Sequence, residues 1–109
     1  MIIIHSERRG GKTTRLIEIS AEKGYHIVTQ SLKMSEIISK QAEKMGLSIP
    51  LPLTYQHIKE HNFRDMKIKG LIIDDLEYLL HKMTGGKIKY ATTSAEIRGV
   101  DETRYMDTL

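Results

Sequence analysis

The chain has no cysteine and no tryptophan, a single phenylalanine and only two prolines in 109 residues. Without thiols there can be no disulfide framework and no thiolate metal site, and the composition is compatible with a reducing cytoplasm. No apolar run approaches the ~20 residues that span a bilayer, so no membrane partner is expected. The first apolar run, Ile2 to Ile4, has no basic region before it, and a signal peptide is not expected. Charge of neither sign dominates: the net value is +3, with a pI near 9.2. That mild excess of Lys and Arg permits contact with nucleic acid but does not require it. Internal repeats and low-complexity segments are also missing.

What remains is 39% hydrophobic and 28% charged, the balance of one soluble globular domain with a true core. Short apolar runs alternate with segments of helical periodicity. Leu16, Ile17, Ile19 and Ser20 mark one helix, with Gly24 suited to its left-handed end. Tyr25 to Thr29 reads as a strand. Met34, Ile37, Ile38, Gln41 and Met45 then share one side of a helix from about Lys33 to Met45, with Ser31 as N-cap and Gly46 as stop. Ile49 to Thr54 carries both prolines, which restricts it to an edge strand. Tyr55 to Asn62 reads as a short helix. Gly70 to Asp74 is the most apolar strand, followed by a helix on Leu76, Leu79, Leu80 and Met83 that Gly85-Gly86 stops. Ile88 to Thr92 is expected to be the last strand, and the residues from Arg98 onward a loosely held tail. The alternation predicts an α/β fold, a three-layer sandwich around a mostly parallel sheet of about five strands. Its boundaries are residues 1–97 for the domain and 98–109 for the tail.

The stretch from Met1 to Glu18, MIIIHSERRGGKTTRLIE, joins a β-branched strand to a helix through a glycine turn. Glycines at 10 and 11 free the backbone to curl its N–H groups into an anion nest, and the helix behind adds unpaired N–H groups and the positive end of its dipole. Gly11-Lys12-Thr13 in this setting resembles the Walker A motif of P-loop NTPases, with Ser6 where that pattern has its first glycine. SERRGGKT, with Arg8 and Arg9, is similar to the variant loops of helicase-like and phage terminase-like ATPases. The resemblance implies a RecA-like core that binds ATP and Mg²⁺. Ser6, Arg8, Arg9, Gly10, Gly11, Lys12, Thr13 and Thr14 would form the nucleotide-binding set, with Lys12 on the β/γ-phosphates and Thr13 on the metal.

Leu71-Ile72-Ile73-Asp74-Asp75 is an apolar strand ending in two carboxylates, and it resembles the Walker B motif. The resemblance implies that Asp74 orders Mg²⁺ and that Asp75, standing where the family usually has Glu, positions the attacking water. An Asp at a strand end can equally cap the next helix. Tyr90-Ala91-Thr92-Thr93-Ser94 resembles the coupling motif of the same enzymes, which implies that Thr92 or Thr93 senses the γ-phosphate. Thr29-Gln30-Ser31 sits where helicases touch a nucleic-acid backbone, so DNA is an implied partner. A lone lobe also implies a second copy or a partner protein to complete the site. Arg98 and Arg104 are candidate arginine fingers.

Two rivals stay open. GGKTTRLIE before an acidic strand end is also similar to the phosphate loop of thymidine kinases, which implies a nucleoside kinase. The Asp at position 75 allows a nucleotide-binding switch that does not hydrolyse and acts through a partner. His57-Ile58-Lys59-Glu60-His61 spells an inverted zinc-protease motif, but on a predicted helix of barely two turns, and its candidate third ligands, Glu77 and Glu96, belong to the nucleotide side of the chain.

Overall fold

The computed structural model describes residues 1–5, 11–60 and 67–106. Strand β1 (Ile2–His5) leads toward helix α1 (Lys12–Lys23), followed by β2 (His26–Thr29) and α2 (Leu32–Lys44). The two-residue β3 (Leu53–Thr54) runs directly into α3 (Tyr55–Glu60). Then come β4 (Leu71–Ile73), α4 (Leu76–Thr84), β5 (Glu96–Gly99) and α5 (Val100–Met106).

The helix ends follow the residues that define them. Ser31 caps α2 by accepting from the Met34 N–H at 3.2 Å. At the other end the Leu47 N–H reaches the Ala42 carbonyl at 2.9 Å, and Gly46 takes the left-handed turn that this closure requires. At the start of β4, a Cβ on Gly70 would stand 2.8 Å from the Tyr25 ring, so only glycine lets the strand lie this close. Pro52 stays out of the ladder and β3 is confined to the edge of its sheet, as two prolines in the segment require.

The expected single sheet of about five strands is not what forms. All strand pairs are parallel, but they make two separate sheets, a three-stranded one in the order β3-β2-β4 and a two-stranded one of β1 and β5. Ile27 pairs with Ile72 in the first sheet and Ile3 with Ile97 in the second. The physical reason lies in the core. Leu16, Ile17, Ile27, Ile38 and Ala42 form its buried cluster, and both Ile4 of β1 and Ile72 of β4 pack against it. Each sheet thus delivers its apolar side chain to the same cluster without sharing a ladder. With strands of three or four residues, a ladder between them would add only a few hydrogen bonds, each worth ~1 kcal/mol net.

The last strand is also displaced. Ile88 to Thr92, expected to be extended and paired, is irregular, and Tyr90 is 96% exposed. The alternation there offers only Ile88 and Tyr90 between lysines, too little apolar surface to bury. β1 pairs instead with Glu96–Gly99. The segment read as a tail from Arg98 therefore begins inside a strand and continues as α5. It is tied back by Arg15 of α1, a buried guanidinium whose Nε and Nη2 donate to the Thr103 hydroxyl and carbonyl, each at 2.7 Å.

Candidate functional site

The start of α1 is built as the glycine turn requires. Gly11 holds φ +80° as N-cap, and no side chain caps the helix there. Lys12 opens the helix exposed, with Thr13 and Thr14 half-buried behind it. The Thr14 hydroxyl accepts from Gln41 Nε2 at 3.1 Å, which binds α1 to α2. Ser6, Arg8, Arg9 and Gly10, the other members of the expected nucleotide-binding set, lie outside the described residues.

Asp74 continues β4 past its last ladder residue, its N–H donating to the Val28 carbonyl at 3.0 Å. Its carboxyl is half-buried, and its pKa is raised by that burial first and by Asp75 beside it second. The Lys12 ammonium acts in the opposite direction and pulls it down.

Asp75 is the N-cap of α4. Its Oδ1 accepts from the Tyr78 N–H at 3.0 Å, and its backbone sits at φ 64°, the single non-glycine residue with positive φ among those described. Aspartate tolerates this left-handed geometry better than most residues, at a cost of about 1 kcal/mol. One carboxylate oxygen is therefore already engaged by the helix.

Tyr55, which the sequence reading passed over as the first residue of a helix, holds this turn from the other side. Its hydroxyl donates to the Asp74 carbonyl and shares its proton with the Asp75 carbonyl at 3.1 Å. The ring is buried and stacks on Tyr78, centroids 6.0 Å apart. Lys82 Nζ lies 5.9 Å from the outer ring's centroid. Burial foremost, then Asp74, Asp75 and Tyr78, pushes the Tyr55 hydroxyl up to about 12, so it remains a proton donor at neutral pH. The signal that could have found it is positional. Thr29 is level with Thr54 and Val28 with Ile73, so Tyr55 and Asp74 leave the sheet at the same carboxyl edge.

Other expected residues are placed elsewhere or committed to the fold. Thr92 and Thr93 are exposed in the irregular segment before β5, where the Thr93 hydroxyl accepts from the Ala95 N–H. Thr29 is fully buried, its hydroxyl bonded to Ser35 at 2.8 Å and to the Ser31 carbonyl, which removes it from any nucleic-acid surface. Gln30 and Ser31 border a shallow cavity of about 230 Å³ with Thr54, His57 and Glu60. Neither Lys12 nor Asp74 lines it. Arg98 is in β5 and pairs with Glu96, and Arg104, whose side chain is not described, falls in α5. His57 Nδ1 accepts the Thr54 N–H at 3.0 Å and so helps begin α3, while His61 lies outside the described residues. Among those described, no three His, Cys, Asp or Glu side chains gather as a metal cage, and no helix is long and apolar enough to cross a membrane.

No family model matches this chain, and neither a curated protein nor a solved structure matches it.

Proposed function

We propose that the chain is a small P-loop nucleotide-binding protein, an Mg²⁺-dependent ATPase of the helicase- and terminase-like kind. The observation that carries the reading is a helix opened by Gly11 at φ +80° and by the exposed Lys12, together with a half-buried Asp74 carboxyl just past the end of β4. A cation at the start of a glycine-capped helix suits a phosphate chain, and a carboxylate at a strand end suits its counter-ion. Asp74 and the Thr13 hydroxyl are hard oxygen donors, and two of them are enough for Mg²⁺, which takes its remaining ligands from phosphates and water. The metal, when bound, would neutralise charge on the phosphates. Lys12 would hold the β/γ-phosphates, Gly11 would let the backbone approach them, and Asp74 would fix the metal side. Asp75 has Oδ2 to orient a water while Oδ1 caps α4.

That capping duty also favours the second reading, a switch that binds nucleotide and turns it over poorly. In either form the charge supplied by one chain is partial, so a second copy, a protein partner or DNA would complete the site. The setting proposed is the cytoplasm, that of the host if the chain is phage-encoded.

Calorimetric titration with ATP and Mg²⁺ tests the reading. The parent should bind, and Lys12→Ala should weaken binding by on the order of a hundredfold, the loss of a charge-assisted contact worth ~1.5–3 kcal/mol. Equal binding by the two proteins would refute it. Turnover of the parent against Asp75→Asn, with and without DNA, separates enzyme from switch. Phosphorylated nucleoside among the products would identify a kinase instead.

A further inference from the structure

We propose that Tyr55 is a positioning residue for the metal-side carboxylate, its hydroxyl pinning the Asp74 and Asp75 carbonyls and so fixing the turn from which the Asp74 side chain leaves β4. The inference rests on the Mg²⁺-nucleotide reading above and names a residue that no motif assigns. β3 and β4 lie on opposite sides of β2, two strand spacings or ~10 Å apart. A short side chain at the end of β3 could not reach across. Tyrosine does, and it closes the carboxyl edge of the sheet with a rigid ring whose far end lands on the turn that bears both carboxylates.

Three features make this a device for orientation and not simple packing. The turn it grips is the one place where a described non-glycine residue has positive φ, so this backbone has a definite geometry to keep. It is gripped from both sides, by the Tyr55 hydroxyl on the carbonyls and by the Tyr78 N–H on the Asp75 side chain. The Tyr55–Tyr78 stack in turn fixes the hydroxyl's direction. Partners that orient a metal-binding carboxylate from behind commonly govern how tightly the metal is held.

The test is the Mg²⁺ requirement for ATP binding, read by calorimetry in EDTA and over a Mg²⁺ series. Tyr55→Phe keeps the ring and removes only the hydroxyl. It should bind ATP in EDTA as the parent does, yet need on the order of tenfold more Mg²⁺ to reach the parent's affinity. In an Asp74→Asn background the same change should have no further effect on that requirement. Tyr78→Leu, which removes the stacked ring that fixes the hydroxyl's direction, should raise the Mg²⁺ requirement in the same sense as Tyr55→Phe and by less. An unchanged requirement in Tyr55→Phe overturns the inference. So does an equal loss in EDTA and in Mg²⁺, which would mark a residue that merely supports the fold. A parent that binds no ATP under either condition removes the nucleotide reading itself, and that failure is seen before any variant is made.

Discussion

The two sheets bear unequal loads. In the three-stranded sheet Ile27, Val28 and Thr29 of β2 are fully buried, with α1 and α2 against the strand. In the two-stranded sheet Ile2 is 48% exposed and Ile97 58%, and beyond Ile4 against the shared cluster it is fastened by α5, through the Arg15–Thr103 bonds. The acidic pair therefore sits on the rigid sheet, whereas the strand that feeds the glycine loop belongs to the open one. The lesson is that the placement of β1 and of the start of α1 depends on α5, distant in sequence, through the Arg15–Thr103 bonds.

Ile27→Ala and Ile97→Ala are the harshest trial of that contrast. The first removes a fully buried side chain and should cost ~2–5 kcal/mol in chemical denaturation. The second trims a side chain that is mostly in water and should cost under about 1 kcal/mol. Comparable losses would mean that the sheets share one core load. A milder trial is Thr103→Val, which deletes a hydrogen bond to a buried charged group and should cost ~1.5–3 kcal/mol. Amide exchange localises the effect. Protection should fall in Ile2–His5 and Glu96–Gly99 and hold in His26–Thr29, and a loss spread over both sheets would contradict the separate anchoring.

How far the sequence reveals this arrangement depends on how local each signal is. The caps at Ser31, Asp75 and Gly46 were readable because their hydrogen bonds close within a few residues. The edge status of β3 was readable from Pro52, and the helices from their apolar spacing. The division into two sheets was not readable, because Ile4 and Ile72 look the same in sequence whether they share a ladder or only a core. Nor was β5. The sequence around Ile88 and Tyr90 alternates more cleanly than Glu-Ile-Arg-Gly, and only the pairing with β1 favours the latter. Arg15 and Tyr55 were missed for a related reason. Their partners, Thr103, Asp74 and Asp75, are distant in sequence, and three of the four acceptors are main-chain carbonyls that no residue pattern reports.

The finest trial addresses the seam between the sheets and needs no ligand. Asp74 has its pKa raised in the folded chain, so folding favours its neutral form. That contribution is fully present below the ordinary aspartate value of 3.8 and is lost as the pH rises through the raised value. At pH 7 the ionised carboxylate is therefore a burden on the fold, and Asp74→Asn should melt at a higher temperature than the parent. The gap should close as the pH is lowered toward the ordinary value, where both side chains are neutral. Lys12 offsets part of this burden, so in a Lys12→Ala background the same substitution should open a wider gap at pH 7. A gap of the same size in both backgrounds would mean that the two charges do not sense one another. The start of α1 and the end of β4 would then lose their electrostatic link, and the proposed triphosphate site would lose one of its physical reasons.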